Sequence, residues 1–261
     1  MHKTNHPFHI VSIRPWPLIL SINLILILIR IIKLFYQFKI YLLIISFLNI
    51  NLILFQWWRD VTREGTFQGI HTFKIIQNLK LGIILFIISE IFFFISLFWT
   101  YFHSSLSPRI EIGSIWPPKN IIILNPYSIP LLNSIILISS GITITWSHHR
   151  LLNNINWTAI ITLAQTIILG IFFTLCQIHE YFETSFSIAD SIFGSIFFLT
   201  TGFHGIHVII GTIFLIICLI RIINNHFSKN HHFGYEAAIW YWHFVDIVWL
   251  FVYTWIYWWS F

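Results

Sequence analysis

Charge is the scarcest property of this sequence. Only 9% of its 261 residues are charged, fourteen basic and nine acidic, while 57% are hydrophobic and 19% aromatic. A soluble domain carries roughly 25% charged residues, so the shortage excludes a soluble globule and, with it, a disordered chain. Cysteine is nearly missing. Cys176 and Cys218 lie in apolar runs and form no CxxC pair, which excludes a disulfide scaffold and gives no sign of a zinc site or redox dithiol. The first apolar run lacks a small-residue cleavage site and is followed by Arg30 and Lys33, so no cleavable signal peptide is expected. No repeat relates the two halves, and prolines gather at the ends of the apolar runs. Both facts argue against a secondary transporter, which needs inverted repeats and broken midplane helices.

What the sequence has is long apolar runs separated by charge. A helix needs about 20 apolar residues to cross a bilayer. The first run, between Arg14 and Arg30, has 15 uncharged residues, which is marginal, and Arg30 could snorkel to extend the span by a turn. The others are long enough. The pattern predicts one all-α polytopic membrane domain over 1–261, with seven transmembrane helices near 15–34, 40–58, 80–104, 129–150, 156–180, 191–222 and 234–258. No loop could hold a soluble domain, so any function lies in the membrane or at its faces. Lys3, Arg14, Arg59, Arg63, Lys74, Lys80, Arg150, Arg221 and Lys229 fall on the N-terminal side, against Arg30, Lys33, Lys39, Arg109 and Lys119 opposite. The acids Glu111, Glu183 and Asp190 join that opposite side. The positive-inside rule then places the N-terminus inside and the C-terminus outside. No loop supplies a basic face for nucleic acid.

An ionisable group within a span is a functional candidate, because it is costly there without a partner. Glu90 lies near mid-membrane among Ile87, Ile88, Ile91, Phe92, Phe93 and Phe94. Desolvation favours its neutral acid. It is either a proton-responsive or gating carboxyl, or a protonated acid that glues two helices. Asp246 and His243 share one face of the last helix, as His204 and His207 do in the sixth. These predict a polar seam between helices six and seven. Such histidines could in principle hold haem or copper, but fourteen histidines make the spacing common by chance. Trp58, Arg63, Glu64, His71, Arg221 and His226 collect at the inner face, with Arg63 and Glu64 read as a salt-bridged pair. Tryptophan with cations suits anionic phospholipid headgroups, while ordinary interfacial anchoring explains most lone bases.

The residues also resemble a known family. Trp57-Trp58-Arg59-Asp60-Val61, Phe86-Ile87-Ile88-Ser89-Glu90 and Trp116-Pro117-Pro118 are similar to subunit III of cytochrome c oxidase. So are Thr145-Trp146-Ser147-His148-His149, Thr201-Gly202-Phe203-His204-Gly205-Ile206-His207, His231-His232-Phe233-Gly234-Tyr235-Glu236 and Trp240-Tyr241-Trp242-His243-Phe244-Val245-Asp246. The resemblance runs from about Asn5 to the C-terminus and is weakest from Ile19 to Leu54. It implies two bundles, helices 1–2 and 3–7, separated by a lipid-filled V-shaped cleft. It also implies a non-redox core subunit of the mitochondrial oxygen-reducing proton pump, with no catalytic residue, metal or cofactor of its own. The haems and coppers would belong to subunits I and II. Partners would be those two subunits, accessory subunits, and anionic and zwitterionic phospholipids. The implied location is the mitochondrial inner membrane, with the N-terminus in the matrix and the C-terminus in the intermembrane space. Glu90 would be the family's buried membrane carboxyl, and Trp58, Arg63, Glu64, His71, Arg221 and His226 its headgroup contacts. Asn224 stands where relatives often carry a base, and Gly65 where serine is usual.

Overall fold

A computed structural model describes residues 8–38, 40–110, 113–119 and 121–261. Lys3, Lys39 and Glu111 of the charge count lie outside the described residues. Those described form seven long helices and no named strand. They are α1 (Trp16–Gln37), α2 (Ile40–Thr66), α3 (Phe73–Leu106), α4 (Ile129–Leu152), α5 (Asn156–Glu183), α6 (Ser191–Ile223) and α7 (Phe233–Val252). A π-helical turn, Tyr253–Trp258, prolongs α7. Each of the seven is long and apolar enough to cross a membrane.

Local chemistry sets the helix ends. Pro17 and Pro130 stand in the first turns of α1 and α4, where a missing N–H costs nothing. Asn154 and Asn225, with φ of 59° and 54°, turn the chain after α4 and α6. Asparagine tolerates that left-handed conformation because its side chain bonds locally. Two helices outrun their apolar segments. α2 continues to Thr66 rather than stopping near 58, and α3 starts at Phe73 rather than near 80. Charge marks where hydrocarbon ends, not where backbone hydrogen bonding ends. In the loop before α6, the Ser187 amide and hydroxyl both donate to Asp190, at 2.7 and 2.9 Å. The amide bond foremost holds this carboxyl below the usual range.

The chain divides into two compact units, Met1–Leu79 and Lys80–Phe261. The first is an antiparallel hairpin of α1 and α2 with polar clasps at both ends. Arg30 closes one of them. Its guanidinium donates to the Leu42 carbonyl at 3.2 Å and to the Ser46 hydroxyl. At the open end the Trp16 indole N–H donates to Asp60 at 2.7 Å.

In the second unit α7 is the central element. Tyr235, Trp242 and Trp249 recur every seventh residue and are fully buried. Each donates to a serine of the antiparallel α4: Tyr235 to Ser147 at 2.7 Å, Trp242 to Ser140 at 2.9 Å, and Trp249 to Ser134 at 3.0 Å. Small serines let the helices approach closely, and their hydroxyls satisfy the buried N–H and O–H groups. Aromatic edges from Phe94, Phe98, Phe173 and Phe197 fill the rest of the core.

Candidate functional site

In the first unit the last turns of α2 hold the charges. Glu64 points inward and is 6% exposed. Its Oε1 accepts from Arg14 at 3.1 Å, and its Oε2 lies 3.5 Å from His9 Nε2. His71 arrives from the turn before α3 and joins this group, one ligand atom each of His9, Glu64 and His71 lying within 4.8 Å of the others. The His71 ring rests against Gly65, where a Cβ would come 2.8 Å from its Nδ1. The glycine therefore makes room for the ring as well as removing a hydroxyl.

Arg63 and Glu64 do not form the expected pair. Neighbours on a helix point about 100° apart, and only residues three or four apart face one another. Arg63 accordingly lies 4.0 Å from Asp60, with its side chain 56% exposed. Trp58 is exposed as well. Glu64 and His71 thus form the inner part of the patch, and Trp58 and Arg63 the outer part.

In the second unit Glu90 stands in the middle of α3 and does not remain among isoleucines and phenylalanines alone. Its Oε2 lies 3.0 Å from Nε2 of His207 on α6. The other ring nitrogen, Nδ1, is 2.7 Å from the Phe203 carbonyl, which can only accept, so Nδ1 carries a proton. Glu90 and His207 therefore share one further proton between Nε2 and Oε2. Phe94 and Tyr241 flank the imidazole.

The histidines expected to form one seam reach different places. His204 donates from Nε2 to the Val245 carbonyl of α7 at 3.3 Å, with Phe173 and Trp249 around its ring. His207 turns to α3. His243 lies 3.7 Å from Asp246 on its own helix, and that carboxylate faces Gly141 of α4. The cause is rotation about α6: residues three apart diverge by about 60° and meet different neighbours. With their nitrogens engaged separately, these three do not converge on one metal.

Arg221 and His226 come together in the turn after α6, where the His226 amide donates to the Arg221 carbonyl at 2.9 Å. The Arg221 guanidinium lies 4.2 Å from the centre of the Phe227 ring.

Two acids escaped sequence reasoning. Glu180 is buried on α5 beside Gln177 and Tyr257. The signal was present: Leu163, Thr166, Gly170, Phe173, Gln177 and Glu180 follow a helical inward face. Glu236 binds Lys80 at 2.6 Å, linking the beginnings of α3 and α7. Nothing local in the sequence pairs residues so far apart.

A family model described as cytochrome c oxidase subunit III matches residues 6–261. The chain belongs to that family. It is 56% identical over 257 residues to cytochrome c oxidase subunit 3 of Drosophila melanogaster, covering 98% of each chain. It is 56% identical over 254 residues to that of Rhipicephalus sanguineus, covering 97% of this chain and 99% of the relative. Identity to the Heterololigo bleekeri protein is 52% over 255 residues, covering 98% of each. The protein is thus a subunit of an oxidoreductase complex and a multi-pass protein of the mitochondrial inner membrane.

Proposed function

We propose that this chain is a non-redox core subunit that stabilises subunit I, holds structural phospholipid and sustains turnover, with its N-terminus in the matrix. The supporting observation is the two-layered patch at the end of α2. An exposed Trp58 and Arg63 stand beside a buried Glu64 that is already neutralised by Arg14. That leaves Arg63 available to a phosphate while the indole lies at headgroup depth. Arg221 and His226 are the corresponding candidates in the second unit. Elsewhere in that unit an apolar groove of about 720 Å³ between α3 and α7, whose walls include Phe98, Trp99, Phe251 and Trp255, has room for an acyl chain.

Arg63→Ala is expected to lower the anionic phospholipid that co-purifies with the complex. Unchanged lipid content by mass spectrometry would refute the headgroup role.

Glu90 and Asp246 are proposed as the functional membrane carboxyls, Glu90 through the proton it shares with His207. Glu90→Gln keeps a hydrogen-bonding partner for His207 but removes the titratable group. The complex is expected to assemble normally and lose activity sooner during sustained turnover. Poor assembly, with normal endurance in whatever complex forms, would make Glu90 a structural residue instead.

A further inference from the structure

The oxidase assignment leaves one cluster of ligating side chains unused. His148 near the end of α4, His232 just before α7 and Glu236 in its first turn each bring a ligand atom within 4.8 Å of the other two. A tight turn holds His232 in place, with reciprocal backbone bonds between Ser228 and His231. The His232 Nδ1 is 3.1 Å from the Ser228 carbonyl. A carbonyl only accepts, so Nδ1 is the protonated nitrogen and the neutral ring carries its lone pair on Nε2. That lone pair faces Glu236 Oε1 at 3.2 Å. Two lone pairs so placed repel unless something positive lies between them. On the third side, His148 Nε2 is buried without a hydrogen-bond partner among the described residues, its ring centre 5.4 Å from that of His232. A proton on His232 Nε2 would satisfy Glu236 and leave His148 unserved. One cation among the three serves all of them.

We infer that His148, His232 and Glu236 form a binding site for a zinc-class divalent cation, completed by water. Two imidazoles and a carboxylate are a zinc donor set. Calcium and magnesium prefer oxygen alone, and soft Cu(I) prefers sulfur. A tetrahedral site with Zn–N bonds near 2.1 Å separates its ligand atoms by about 3.4 Å. His232 and Glu236 already stand at that spacing, and His148 has to swing inward by no more than about 1.4 Å to join them. The outer shell is in place too. The Ser228 carbonyl fixes the His232 tautomer, and Lys80 holds Glu236 Oε2 at 2.6 Å, leaving Oε1 for the metal.

The test is equilibrium binding of radioactive Zn²⁺ to the intact, chelator-treated oxidase complex. The native complex is expected to bind one equivalent more than complexes carrying His232→Ala or His148→Ala, or to bind it at least about 10-fold more tightly. His232→Cys replaces one zinc ligand by another and should retain that equivalent, which keeps the test decisive if an alanine variant fails to assemble. The exposed neighbour serves as the control: His149→Ala should bind as the native complex does. Equal zinc binding by the native complex and by His148→Ala would overturn the site, as would loss of the equivalent in His232→Cys.

Discussion

Trp242→Ala is expected to be among the most damaging single substitutions in the chain, destabilising the second unit by about 3–5 kcal/mol. The indole lies at the junction of four helices. A Cβ at Gly170 of α5 would come 2.7 Å from its Cη2, and one at Gly211 of α6 would come 2.9 Å from its Cε3. Both glycines exist where the ring needs the space. On the α4 side its N–H donates to Ser140. In a bilayer the lost energy is mainly dispersion, since lipid tails are as apolar as the cavity lining. Trp242→Phe refills most of the space and leaves the Ser140 hydroxyl without the indole donor, for a cost of about 1–2 kcal/mol. Thermal unfolding of the purified complex, with the amount of assembled subunit as a second readout, checks both. An alanine variant that melts with the native protein would show that α4, α5 and α6 hold together without it.

Glu64→Leu is expected to be comparably severe for the first unit. Arg14 and Glu64 are 13% and 8% exposed as side chains. Removing the carboxylate strands a guanidinium, and breaking a buried pair from one side costs about 3–5 kcal/mol. The pair itself adds little net stability, because desolvation of both charges offsets their attraction. The double replacement Arg14→Met with Glu64→Leu should therefore recover most of the loss. Limited proteolysis of α1 and α2 in the complex, run as a double-mutant cycle, measures the coupling. If the double variant is as unstable as Glu64→Leu alone, the stranded charge is not the cause. The cluster with His9 and His71 would then be the thing that matters.

Different parts of this fold differ in how far the sequence exposes them. The spans were legible because hydrocarbon imposes a rule that acts residue by residue: charge must leave, and about twenty apolar residues must stay. Glu90 was conspicuous for the same reason. Its partner was not, since His207 lies on α6 and sequence spacing linked it only to His204. Tyr235, Trp242 and Trp249 show a heptad to the eye, but Ser134, Ser140 and Ser147 look like ordinary small residues until α4 is laid antiparallel against α7. Arg63 and Glu64 are a converse case, in which adjacency in sequence pointed to a pair that helical geometry forbids.

By itself the sequence determined that the chain is an all-helical membrane protein, where its spans run and which family it belongs to, since these follow from composition, run length and local motifs. Only the tertiary structure decided who meets whom. Arg30 turns to Ser46, Glu64 to Arg14, Glu90 to His207, and His148 to His232 and Glu236. The physical reason is that a buried polar group must find a partner wherever packing brings one. Helix rotation and approach decide that choice, and they depend on contacts between residues far apart in the chain.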